Sequence, residues 1–469
     1  MPLLELPPEL VELIASSADI DTLRALRLTC HELLQHVKRE WETRLLSQQW
    51  SNGQASLLQL KEILDHGNLK HKFKKLWLGT HYLGTWRHGL HVEQPQTARE
   101  AHQQLLGEQG LCGSHAGFVS LDVVLDRMPA LKSIEIGEWV SLNETPHLGW
   151  GGKRLERLTE QRLRTDFCAV YPAGSLNGAT ARSREGRVCG PSLVHTMTKL
   201  FEKTIHALSW SECHVDELTF FYLDENSCQY DGVRFHYLTS SMLHIARPDN
   251  SFGPFLRQSL SHVISFHLAI GVSPRGFMQS ESNDRLLWLN RFFALFPALQ
   301  SLRLFCNGPF PECGWTSRSL HVFMQKSKMP QLSDLYIGHA MIDPKVILTL
   351  LRNHVETLRR VHLRCVNLDV FDDHDEHDTS HWKNAFEQMG SMALERVRLA
   401  CLYQRDDLVT FAEGVRDCAV CRPCFKEEES RFFYGVDCFH VSFESVNGAA
   451  PGHFDLCSLT PAPPIEDEE

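Results

Sequence analysis

Three thiols at close spacing are the chain's most direct offer of chemistry: Cys418, Cys421 and Cys424, in the run Cys-Ala-Val-Cys-Arg-Pro-Cys. Thiolates separated by two residues can clasp zinc, and Cys438 or His440 would extend the ligand set towards a tetrahedron. A second C-x-x-C pair, which would make the signal specific, is not present. A cluster of reduced thiols is therefore the simpler reading and a metal site the alternative.

Two histidine patterns invite the same question. His31-Glu32-Leu33-Leu34-Gln35-His36 comes within one residue of the H-E-x-x-H zinc helix. Two histidines five apart on a helix are rotated by about 140° from one another, so they do not share a ligand face. The run His374-Asp375-Glu376-His377-Asp378, with His381 beyond, can gather a cation but reads more simply as a solvated acidic loop. No Walker A, G-x-G-x-x-G or G-x-S-x-G motif appears. No catalytic residue and no cofactor is assigned, and the expectation is a protein that binds rather than an enzyme.

The bulk properties fit that expectation. At 469 residues the chain exceeds the ~250–300 at which one hydrophobic core stops growing, so several domains or an elongated repeat is expected. Its 43% apolar and 22% charged residues are ordinary for a folded protein. A net charge of −11 opposes binding to nucleic acid. The basic patches at Lys70, Lys72, Lys74 and Lys75 and at 182–187 lack the interleaved aromatics of a stacking platform. No basic n-region opens the chain and no apolar stretch reaches the ~20 residues that span a bilayer. With fifteen scattered cysteines, this points to reduced thiols in cytoplasm or nucleus, away from a membrane.

The elements that would position any surface fall into two groups. From Leu6 to Trp41 the sequence predicts three short helices. Pro7 and Pro8 open the first, which carries Leu10, Leu13 and Ile14; Asp21 caps a second with Leu23 and Leu26. A Thr29-x-x-Glu32 capping box starts the third, with Leu33, Val37 and Trp41 along one stripe. So small a unit sits at the lower limit for standing alone. It still has Leu6, Leu10, Ile14, Leu23, Leu26, Leu28 and Leu33 to cover, each worth about 1.5–3 kcal/mol when buried. Another surface must finish the packing.

After residue 115 one unit recurs: an amphipathic helix, a break often marked by proline, then L-x-x-φ-x-φ, where φ is apolar. Examples are Leu131-Ile134-Ile136, Leu299-Leu302-Leu304, Leu332-Leu335-Ile337, Leu358-Val361-Leu363 and Leu394-Val397-Leu399. Weaker copies fall near Leu218–Phe220 and Phe266–Leu268. Asp343-Pro344 is a cap followed by a first-turn proline. The spacing is uneven, so a degenerate solenoid of parallel strands with outer helices is expected, with a conventional α/β domain as the alternative.

The N-terminal pattern L-P-x-E-L, I, D-x-x-x-L-x-x-L-R-x-x-C, W resembles the F-box, through Leu6, Pro7, Glu9, Leu10, Ile14, Leu23, Leu26, Arg27, Cys30 and Trp41. The run LRALRLTCHEL is especially similar to fungal F-box proteins, and the later repeats are similar to irregular leucine-rich repeats. Ala18, Asp19 and Ile20 depart from the large apolar residue and D-P usual between the first two helices. The resemblance implies a Skp adaptor docked on Leu6, Pro7, Pro8, Glu9, Leu10, Ile14, Leu23, Leu26 and Arg27, a cullin–RING ubiquitin ligase beyond it, and an unknown protein substrate on the repeats. The expected layout is an α/β chain: a three-helix F-box at 1–46, a helical linker region at 47–115, and an irregular repeat domain at 116–440 with an insertion at 140–195. A tail at 441–469 follows, disordered at Pro461–Glu469. A non-ligase scaffold with the same repeat fold is the first alternative, a metal-binding protein using Cys418–Cys424 the second.

Overall fold

The computed structural model describes residues 6–18, 20–47, 49–51, 54–66, 68–79, 120–137, 192–220, 253–271, 283–307, 318–368 and 381–400. It also describes short segments at 82–83, 170–171, 238, 242, 402–404, 407–410, 440–444 and 458–460.

Helices α1 (Pro8–Ser17), α2 (Ile20–Thr29) and α3 (His31–Leu46) open the chain. Pro8 occupies the first turn of α1, where its missing N–H costs nothing, and the Pro7 carbonyl accepts from Leu10 and Val11 at 3.0 and 3.2 Å. Two expected caps are replaced. Asp21 lies inside α2, which already begins at Ile20. The Thr29–Glu32 box does not form: the Thr29 hydroxyl turns back to the Ala25 carbonyl at 2.9 Å, and extended Cys30 is the N-cap of α3 with no side-chain bond. A threonine in the last turn of a helix has that carbonyl within reach, and the bond competes with forward capping.

The trio has its own small core of Val11, Ala15, Leu23, Leu33 and Val37, lined by Leu6, Leu26 and Trp41. Helix α3 belongs to two cores at once. Its first half closes the trio, while Leu45 and Leu46 in its last turn pack into the large core of the rest of the chain. Trp41 lies between them and touches both.

The remainder is a parallel sheet backed by helices. In chain order come β1 (Gln49–Ser51), α4 (Gln54–His66), β2 (Lys75–Gly79), α5 (Leu121–Leu125), β3 (Ser133–Gly137), α6 (Ser192–Trp210), β4 (Glu217–Phe220), α7 (Gly253–Leu260) and β5 (Ser265–Gly271). Then follow α8 (Asn283–Phe293), β6 (Ser301–Asn307), α9 (Arg318–Lys326), β7 (Asp334–Ile342), α10 (Pro344–Asn353), β8 (Arg360–Leu368), α11 (His381–Gly390) and β9 (Arg396–Ala400). Each strand from β1 to β9 pairs in parallel with the next in sequence, and the helices touch in the same order from α4 to α7 and again from α8 to α11. A doubly wound sheet would reverse its strand order partway. Strict sequential order is that of a coil, each turn laid on the last.

One backbone device repeats from β2 to β9. A single carbonyl before each strand accepts two successive N–H groups from the following turn. Lys74 receives Lys132 and Ser133, Lys132 receives Asp216 and Glu217, and Asp216 receives Ile264 and Ser265. Ile264, Gln300, Ser333 and Arg359 continue the series to Arg396. This fixes the register, so that Leu302, Leu335, Val361 and Val397 line up as neighbours.

The two φ positions of each strand face the helices and are sealed, as are Leu289, Phe292, Phe293 and Phe296, Val346, Ile347, Leu350 and Leu351, and Trp382, Ala385, Phe386 and Met389. Asp343 caps α10 as expected, its Oδ1 accepting the Lys345 N–H at 2.7 Å.

Two boundaries move. Residues 49–79 are not a separate helical linker: β1 and β2 pair into the sheet, and Phe73, Leu76 and Leu78 fill the same pattern as later turns. Nor does the array end at 440. His440–Glu444 runs antiparallel to β9, Tyr403–Gln404 extends the parallel ladder of β8, and Asp407–Thr410 and Ser458–Thr460 add antiparallel strands beyond it. The greater part of the 140–195 insertion and the tail Pro461–Glu469 lie outside the described residues.

Candidate interaction site

Two surfaces stand out. The first is α1. Its inner side, Val11 and Ala15, is sealed against the trio, which leaves the largest apolar side chains outside. Leu10 is 45% exposed, Leu13 64% and Ile14 40%. Positions i, i+3 and i+4 adjoin on a helix, so these three make one continuous apolar face. Leu28 of α2 is 71% exposed.

Of the residues expected at an adaptor interface, Pro7, Pro8, Glu9, Leu10 and Ile14 are at the surface and Leu6, Leu26 and Arg27 are half-buried. Leu23 is not a surface residue: it is fully enclosed in the trio's core and can act there only by holding the helices together. Leu13 and Leu28 are exposed as well, although the interface that the F-box resemblance implies does not include them.

The second surface is the sheet face turned away from the helices. Side chains alternate along a strand, so the residue between the two φ positions points outwards. Aligned across the ladder these are Trp77, Glu135, Thr219, His267, Arg303, Tyr336, His362 and Arg398, of which Thr219 and Tyr336 are buried and the rest partly exposed. Sequence reasoning followed the apolar positions and missed this row, which is the x of each φ-x-φ.

The row carries defined electrostatics. His267 Nε2 lies 3.0 Å from the Ser265 hydroxyl and Nδ1 lies 3.4 Å from that of Thr219. Burial, reinforced by the Arg303 charge, pulls its pKa down to about 3, so the ring is neutral at physiological pH. Tyr336 and His362 meet edge to face with ring centres 4.6 Å apart. At the strand starts, Arg360 pairs with Asp334 at 3.3 Å, and Lys75 pairs with Glu135. Further along, His339 and Cys365 both take left-handed backbone, at φ 51° and 50°. They interrupt the β7–β8 ladder at one level, between the Gly338–Arg364 and Ala340–Val366 pairs.

Among the described residues no group of three or more histidine, cysteine or carboxylate side chains is placed to hold a metal. Cys418, Cys421, Cys424 and Cys438 lie outside the described residues, as does the side chain of His440. His31 and His36 sit in α3 without forming a ligand pair; His31 faces Gln35 instead, at 3.3 Å. The acidic run 374–378 lies outside the described residues, and His381 begins α11. Burial pushes the thiols of Cys213 and Cys306 up to about 12, which makes them inert core residues. Among the described residues no helix is long and apolar enough to cross a membrane. No family model matches the chain, and no curated protein matches it.

Proposed function

We propose that this chain is an F-box-type substrate receptor of a cullin–RING ubiquitin ligase. It takes a Skp adaptor on the outer face of α1 and a protein substrate on the leucine-rich-repeat-like coil. The observation that carries the reading is the open face of Leu10, Leu13 and Ile14 on a helix whose inner side is already packed. Apolar side chains set side by side in water are a loss that docking would recover, at about 25 cal/mol per Å² covered. The F-box resemblance supplies the identity of the docked protein. The receptor's work is binding alone: it brings a substrate lysine to a conjugating enzyme by raising effective concentration, in cytoplasm or nucleus, with no covalent step and no cofactor of its own.

The test is pull-down of a Skp adaptor by wild type and by a Leu10→Asp, Leu13→Asp variant. Retention by wild type and loss in the variant is expected. Failure of wild type to retain the adaptor would leave the coil as a scaffold with an unrelated N-terminal cap.

A further inference from the structure

Arg303 of β6 and Arg398 of β9 stand in one cross-strand row, three strands apart, about 14 Å at ordinary strand spacing. Each is half-buried with its Nε enclosed, and among the described residues neither guanidinium makes a hydrogen bond or ion pair. The chain is not short of anions, with 58 acidic against 47 basic residues. The neighbouring Arg360 does have a carboxylate partner, Asp334. A guanidinium drawn partly out of water without a counter-charge is unfavourable, and an arriving carboxylate relieves it through charge-assisted, bidentate bonds. Tyr336 and His362 lie between the two arginines and meet edge to face, His362 half-buried and Tyr336 fully enclosed.

We infer that this row binds an acidic segment of a partner protein, laid across the strands with one carboxylate on Arg303 and a second on Arg398. An extended chain advances about 3.4 Å per residue and presents alternate side chains to one side. Acidic residues four apart therefore match the spacing of about 14 Å. A nucleic acid is the poorer fit, because Glu135 and Asp334 share the face and the net charge of −11 repels a continuous polyanion. The inference rests on reading the coil as a protein-recognition surface, but not on the adaptor. Peptide binding and adaptor pull-down, measured on the same proteins, fail separately.

The experiment is a fluorescence titration of the full chain with three labelled probes. These are a Gly/Ser peptide bearing two Glu four residues apart, the same peptide with Gln at both places, and oligothymidylate. The Glu peptide is expected to bind, more weakly as salt rises. Arg303→Gln or Arg398→Gln each weakens it about tenfold, and the Gln peptide binds wild type as poorly as the Glu peptide binds the double variant. Both variants are expected to melt no lower than wild type, since each loses an uncompensated charge, and this separates lost binding from lost fold. Three outcomes overturn the inference: equal affinity of wild type and double variant, tighter binding of oligothymidylate than of the Glu peptide, or peptide binding that emerges only when Pro461–Glu469 is deleted, which would make the chain's own tail the occupant.

Discussion

The guanidinium of Arg27 lies 4.5 Å from the centre of the Trp41 ring, joining α2 to the middle of α3. Trp41 also touches the large core of the coil, so one side chain links the N-terminal trio to everything that follows. A partner docked on α1, such as the proposed adaptor, would thereby be held at a fixed angle to the sheet face.

Trp41→Ala is expected to loosen this joint, costing about 2–4 kcal/mol as a truncated, partly buried aromatic. Limited proteolysis should then cut within α1–α2 before the coil is attacked. Arg27→Ala removes only the cation–π contact, about 0.5–2 kcal/mol, and should give a milder version of the same pattern. Unchanged protease resistance in Trp41→Ala would mean that the trio is tied to the coil elsewhere.

Leu10 and Leu23 separate surface from support. Leu10→Asp with Leu13→Asp changes exposed positions, where substitutions stay within about 0.5 kcal/mol, so the melting temperature should hold while adaptor retention is lost. Leu23→Ala opens a cavity in a five-residue core and should cost about 2–5 kcal/mol. Its adaptor binding would fail only as the trio unfolds. Circular dichroism melts beside the pull-downs distinguish the two; a cooperative melt unchanged in Leu23→Ala would contradict the enclosed position.

Much of the coil was legible because burial is periodic. Leu299, Leu302 and Leu304 announce a strand that must hide one face, and Pro297 marks where the preceding helix stops. The same rule reaches Phe73, Leu76 and Leu78, but a phenylalanine in the lead position and lysines on either side disguise that turn, so the pattern at 47–115 resembles a linker. The caps failed for a different reason. Thr29 has the motif's residue type, yet a carbonyl four residues back takes its hydroxyl, and no spacing rule decides that competition. The Arg303–Arg398 row was not legible at all. Its members lie far apart in sequence, and only the register of β6 to β9 brings them onto one line.

Acid should weaken the fold through four histidines whose pKa burial lowers, His206, His267, His321 and His354. His354 Nε2 accepts the Met329 N–H at 3.1 Å while Nδ1 donates to the Leu350 carbonyl at 2.9 Å, so only the neutral ring satisfies both bonds. Burial lowers its pKa, and His267 is lower still, at about 3. Below the ordinary value near 6.5 the unfolded chain takes up protons that the folded chain refuses. The stability is therefore fully present above pH about 6.5 and declines as pH falls, by at most about 1.4 kcal/mol per pH unit for each proton. His354 stops contributing at its own lowered value, and His267 continues towards pH 3. Urea midpoints between pH 7.5 and 5, a window that avoids most carboxylates, should fall for wild type and fall less for His267→Gln. A flat wild-type profile would show that none of these rings is held neutral.

Gly338 makes the floor of the sheet face possible. It sits beside Phe305 in the β6–β7 register, and a Cβ there would lie 2.8 Å from Phe305 Cδ2 and 2.9 Å from both Cε1 and the hydroxyl of Tyr336. Gly338→Ala must therefore displace one ring, an overpacking cost of about 1–3 kcal/mol. If Phe305 is the ring that cannot move, Phe305→Leu should recover most of the loss in the double variant, a non-additivity that denaturation curves of the four proteins measure directly. If Tyr336 moves instead, Phe305→Leu recovers little, and the acidic-peptide affinity falls in Gly338→Ala along with the stability. Stability and peptide binding both unchanged in Gly338→Ala would mean that the face has room which the packing of Phe305 and Tyr336 denies.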